Sequence, residues 1–162
     1  MSPCYSERGL KIMNPLLRNV LAVIAGLVVG SVVNMVIVMG GGFVIAPPQG
    51  ADMTTAEGVR AAMPRMTPLH FLTPFLAHAL GTLAGALAAA LIAASHKMKF
   101  ALVIGVIFLV GGIVAVSMVG GPLWFIACDL VLAYLPMAWL GGRIGTARSG
   151  RNDLTRAGAV AH

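Results

Sequence analysis

The sequence predicts an all-α integral membrane protein: a four-helix bundle running up-down-up-down, with both termini on the inner side. Three observations carry that reading. Apolar residues make up 59% of the 162-residue chain and charged residues only 10%, against about 25% charged in soluble domains. A globular core needs a charged coat, and this chain has too little to make one. Four apolar stretches approach the length, about 20 residues, that crosses a hydrocarbon layer. The lysines and arginines fall at the ends of those stretches, nine on one side of the expected bundle and two on the other.

Residues 1–17 read as a disordered leader, in which Met13-Asn14-Pro15 is a more natural start than Met1. The first span runs from about Val20 to Met39. It is too long for the apolar region of a signal peptide. Its flank Met39-Gly40-Gly41-Gly42 is a poor cleavage site, so the span is retained. Residues 40–66 form an outer loop marked by Pro47-Pro48 and Gly50. Within it, Thr54-Thr55-Ala56-Glu57 has capping-box spacing, with Thr54 as N-cap and Glu57 at the third helical position. Pro64 ends this short helix. It packs over the bundle as a structured loop or, functionally, as a lid over an outer cavity.

The second span runs from about His70 to Ala94, with Thr67 and Pro68 as N-cap and first helical residue. The third runs from about Phe100 to Val119. The fourth runs from about Leu123 to Leu140, after the turn Gly120-Gly121-Pro122. Residues 18–145 are thus the membrane domain, and residues 146–162 mix Arg, Ser, Asn, Gly and Ala into a patternless, disordered cytoplasmic tail.

Orientation follows the positive-inside rule. Arg8, Lys11 and Arg18 precede the first span, Lys97 and Lys99 join the second to the third, and Arg143, Arg148, Arg151 and Arg156 follow the fourth. Arg60 and Arg65 in the outer loop are offset by Asp52 and Glu57. Trp124 and Trp139 sit at opposite ends of the fourth span, as interfacial aromatics do. The net charge of +6 therefore serves topology and anionic head groups. The expected partner is the lipid bilayer, and nucleic acid is not.

Gly26, Gly30 and Asn34 recur every four residues in the first span, and Gly81 and Gly85 do so in the second. Small residues at that spacing let two backbones approach closely. They predict packing of the first span on the second. A homo-oligomer face or a membrane-protein partner is the alternative use.

Polar residues inside the spans are few. Asp129 is the only acidic one, and such a charge costs roughly 2.5–3.5 kcal/mol at the bilayer centre, so it faces the interior and has a partner. Counting inward at 1.5 Å per residue puts Asp129 about 10 Å deep, His78 about 12 Å and Asn34 about 8 Å. Antiparallel helices then gather Asn34, His78 and Asp129 into one buried polar cluster, with Ser117 and Ser31 at its approach. A carboxylate–imidazole pair shares a proton and titrates as a unit, and an amide either donates to the carboxylate or accepts from the ring. The plainer reading is that these groups satisfy one another and fix helix register. Pro74 and Pro136 each remove a backbone bond. Pro136 frees the carbonyl of Leu132 one turn below Asp129, near Tyr134.

Nucleophile-elbow, P-loop, HExxH, dinucleotide and haem signatures do not occur. Cys4 and Cys128 lack ligand spacing, so neither a disulfide nor a zinc site is indicated. No cofactor or metal is expected. Met63, Met66, His70 and His78 are the soft ligands a copper path would use, but methionines in an apolar chain are more simply packing.

The stretches Phe75-Leu-Ala-His78-Ala-Leu-Gly81-Thr, Ala93-Ala-Ser-His96-Lys-Met-Lys99-Phe-Ala101, Pro122-Leu-Trp124, Asp129-Leu and Tyr134-Leu-Pro136-Met-Ala-Trp139-Leu-Gly141 resemble a group of small, uncharacterised four-span bacterial membrane proteins. The resemblance covers about Met13 to Gly142 and implies the bacterial inner (cytoplasmic) membrane. It implies no activity, and the leader and tail depart from its pattern. On the residues themselves, the expected function is a small transport-type protein that handles protons or a small solute at the polar cluster. The alternatives are an accessory or scaffold subunit of a larger membrane assembly and, third, an enzyme acting on lipid from the outer side.

Overall fold

The structure, a computed structural model, describes residues 13–160, with 152–160 by their backbone alone. Most of the expected leader, with Cys4, lies outside the described residues. Helix α1 spans Pro15–Val44. Asn14 caps it, accepting from the Leu16 N–H at 2.9 Å, and Pro15 occupies the first position, where no N–H is needed. It is longer than expected at both ends because Gly40, Gly41 and Gly42 stay helical rather than opening the loop.

The short loop helix α2 spans Ala56–Ala62. Its cap is Thr55, one residue later than expected. Thr55 Oγ1 accepts from the Gly58 N–H at 3.1 Å. The Thr54 N–H and hydroxyl instead donate to Asp52, at 2.8 and 2.6 Å, so Glu57 has no Thr54 amide to receive. These contacts, the Thr54 hydroxyl first, hold the exposed Asp52 carboxyl below its ordinary value of 3.8. Single 3-10 turns follow at Met63–Arg65 and Pro68–Phe71.

Helices α3 (Leu72–Ile92) and α4 (Lys97–Val119) are joined by a tight turn in which His96 is left-handed, with φ 46°. The last stretch is two helices, α5 (Leu123–Leu132) and α6 (Leu135–Val160). Pro136 explains the break: it lacks an N–H and its ring crowds the carbonyl four residues back, at Leu132. The stretch expected as a tail is helical among the described residues, with α6 running to Val160. Arg and Ala favour helix, and Thr146 and Ser149 fold their hydroxyls back onto the Gly142 and Gly145 carbonyls at 2.7 and 3.0 Å.

Among the described residues, four stretches are long and apolar enough to cross a membrane: Pro15–Val44, Pro68–Ile92, Lys97–Val119 and Leu123–Arg151. Their outward faces are rows of aliphatic side chains, such as Val28, Val32 and Val36 on α1 and Val106, Val110 and Val114 on α4. Water would penalise such faces at about 25 cal/mol per Å², whereas acyl chains do not. This is the build of a multi-pass membrane protein.

Helix α3 is the centre. Buried residues make up 44% of its most apolar window, against 17–22% in the other three stretches. Backbones touch along its seam with α1: a Cβ on Gly26 would lie 2.8 Å from the Gly85 carbonyl, and one on Gly81 would lie 2.9 Å from the Gly30 carbonyl. The sequence-predicted glycines Gly26, Gly30, Gly81 and Gly85 thus meet inside one chain. A second seam had no counterpart in the sequence reading. On it, Gly141 of α6 faces the Leu83 carbonyl of α3 and Gly145 faces Ala90.

One end of α3 is tied by polar groups. Arg18 donates to the Ile92 carbonyl at 2.6 Å, and Lys97 donates to Ala90 and Ala93 at 3.1 and 3.0 Å. Cations belong there, because a helix C-terminus carries unpaired carbonyls and partial negative charge. Asn19 accepts from the Ala94 N–H at 2.9 Å.

Candidate functional site

The site forms where α3, α5 and α6 meet. Asp129 is 1% exposed on α5, although it is the one carboxylate in a span. His78 of α3 brings its Nδ1 to 2.9 Å from both carboxylate oxygens. Tyr134 donates its hydroxyl to Asp129 Oδ2 at 3.2 Å and stacks on the His78 ring, with centroids 5.7 Å apart. In an unbroken helix, residues five apart point roughly 140° away from each other. The break at Ala133–Tyr134 removes that obstacle, so Pro136 is what lets Tyr134 reach Asp129.

Against an ionised carboxylate, which only accepts, Nδ1 is the donor to Asp129, and this leaves Nε2 as the other ring nitrogen. Nε2 meets no partner among the described residues. The Tyr134 hydroxyl adds a bond that an ionised carboxylate accepts more strongly than a neutral one.

A cavity of about 380 Å³ lies against this pair. His78, Gly112 and Asp129 line it where it reaches deepest along their helices, and Met53, Met63, Met66 and His70 line it from the loop side. The loop is fastened there. Arg60 donates to the Met118 carbonyl at the end of α4, and Arg65 donates to Gln49 at 2.9 Å. His70 accepts from the Thr67 N–H at 3.0 Å, which leaves its Nε2 to donate to the Ala46 carbonyl at 3.2 Å.

The residues expected in the cluster, Asn34, His78 and Asp129, and Ser117 expected beside it, are divided. His78 and Asp129 are bonded. Asn34 lies one turn away, against Gly81, and lines a second cavity with His78 and Tyr134. Its Oδ1 is buried without a partner, so it orients neither the ring nor the carboxylate. Ser117 is at the right depth but on the wrong face: it is exposed and donates to its own helix at Val114, at 2.7 Å. Two participants were missed as such. Tyr134 was seen only as a neighbour of the proline. Thr82, 1% exposed with an unpartnered hydroxyl, carried no signal in a run of alanines and leucines. Among the described residues, no group of three or more His, Cys, Asp or Glu side chains is placed to hold a metal.

A carboxylate, an imidazole and a phenol joined inside four apolar helical stretches define a helical multi-pass membrane protein with a buried ionisable centre. No family model matches the chain, and neither a curated protein nor a solved structure does.

Proposed function

We propose that this is a small transport-type protein in which the Asp129–His78 pair takes up and releases one proton, or a small cationic solute, from the adjoining cavity. One observation carries the reading: a carboxylate 1% exposed in a span, bonded to a histidine at 2.9 Å and bordering a cavity of about 380 Å³. A purely structural ion pair would be packed shut. Here His78 remains 26% exposed, with Nε2 free to exchange. The distribution of lysines and arginines supports an up-down-up-down path with both termini in the cytoplasm. On that path the 45–71 loop faces outward and the cavity opens outside. The resemblance noted above supports a bacterial inner membrane.

The test is flux. Full-length protein in liposomes should dissipate an imposed pH gradient or pass a small cation, and Asp129→Asn, which keeps the shape and removes the charge, should stop it. Equal flux from both proteins would refute the reading.

A further inference from the structure

The second cavity, about 350 Å³, differs in kind from the first. It is a cleft between α1 and α4. The rim is Ser31 and Met35 on one side and Gly111 and Ala115 on the other, all exposed. These positions lie in the inner turns of both helices, so the cleft opens on the flank of the bundle rather than at an end. With the spans in a bilayer, that flank meets acyl chains. Few contacts join α1 directly to α4, because α1 rests on α3.

The interior of the cleft is not suited to acyl chains. Asn34 Oδ1 and Thr82 Oγ1 line it, both buried and both without a hydrogen-bond partner. A buried unsatisfied polar atom costs about 1–3 kcal/mol, and native structures rarely leave one without reason. Two in one cleft, beside His78 and Tyr134, point to an occupant. Asn34 Oδ1 needs a donor, whereas the Thr82 hydroxyl either donates or accepts. A single hydroxyl group meets both demands. The volume falls at the low end of the roughly 300–1,000 Å³ of small-molecule sites, enough for a polar head and the first part of a chain.

We propose that the cleft is a laterally entered site for a lipid-soluble molecule with a hydroxyl head. The head bonds to Asn34 and Thr82, and the apolar remainder leaves between α1 and α4 into the bilayer. The proposal rests on the spans lying in lipid and not on transport.

The experiment is photolabelling of the full chain in phosphatidylcholine nanodiscs. The probe is an eight-carbon alcohol bearing a diazirine, and the control is the matching diazirine alkane. Labelled positions are read by mass spectrometry. The alcohol should label residues 30–35 and 108–115 saturably, be displaced by octanol and not by octane, and outperform the alkane. Thr82→Val keeps the shape and removes the hydroxyl, so it should raise half-saturation roughly threefold to tenfold. Gly111→Phe should block labelling: a Cβ there meets nothing within 4 Å, so the ring has room to occupy the cleft. Three results would overturn the proposal: labelling spread without saturation along α1 and α4, equal labelling by alkane and alcohol, or no labelling above background, which leaves water as the occupant. The alcohol–alkane comparison on the unaltered chain decides the matter even if a variant fails to fold.

Discussion

Gly85→Ala adds one methyl group at a buried position on the seam between α1 and α3 and should destabilise the protein. The new Cβ would stand 2.6 Å from the Gly26 carbonyl oxygen, and ordinary Cβ contact begins at 3.4 Å, so the two helices must part by about 0.8 Å (3.4 − 2.6). The obstacle is backbone, which no rotamer change can move aside. Nor is α1 free to swing, because Arg18 and Asn19 fasten its beginning to Ile92 and Ala94. Overpacking of this kind costs about 1–3 kcal/mol. Gly111→Ala is the control: nothing lies within 4 Å of its Cβ, and alanine favours helix by up to about 1 kcal/mol. Reversible unfolding in mixed micelles, titrated with dodecyl sulfate, reads both. Gly85→Ala should unfold at a lower dodecyl sulfate fraction, and Gly111→Ala at an equal or higher one. If the two alanines agree within about 0.5 kcal/mol, the spread of neutral surface changes, the helices do not meet at these glycines and the seam is wrong.

Tyr134→Phe removes only the hydroxyl that donates to Asp129. Because a bond to a charged acceptor is worth about 1.5–3 kcal/mol, it should lower stability in the wild type and much less in an Asp129→Leu background. A double-mutant cycle with no coupling would show that the bond does not exist. Arg60→Ala frees the loop helix from the Met118 carbonyl, so the amides of Ala56–Ala62 should exchange faster while those of α3 do not change; unaltered loop exchange would mean that Arg60 is not the tether. Asp52 supplies a pH test. Its carboxyl is held below 3.8 in the folded loop, so its contribution is complete above that value and is lost as pH falls through the folded value. The Gly58 amide shift should report loosening of the cap only at acid pH, and Asp52→Asn should show no such acid step.

The apolar lengths told most of the fold, because lipid imposes one demand per span and the sequence meets it four times. The pairing of Asp129 with His78 was legible for the same reason: an acid in a span needs an interior partner, and counting residues put His78 at its level. Depth alone did not give direction. Asn34, Ser117 and Asp129 lie at comparable levels, yet a helical residue's azimuth depends on where each helix starts and breaks. Ser117 turned out to face outward and Asn34 to face a different cavity. Tyr134 was hidden by its five-residue spacing, and only a helix interrupted at Pro136 brings it round. Arginine and serine in the tail suggest solvent, while a helix already begun at Leu135 propagates through them at little cost per residue. The second glycine seam was missed because Gly141 and Gly145 fall beyond the expected end of the last span.

The ring nitrogens of His78 report whether Asp129 and His78 act as one proton-binding unit. With the protein in nanodiscs and histidine labelled with ¹⁵N, neutral His78 should carry its hydrogen on Nδ1, held by Asp129, with Nε2 gaining the second proton on acidification. In Asp129→Leu the Nδ1–H form should lose its dominance. A neutral ring protonated at Nε2 in the wild type, or a tautomer indifferent to the loss of Asp129, would contradict the account.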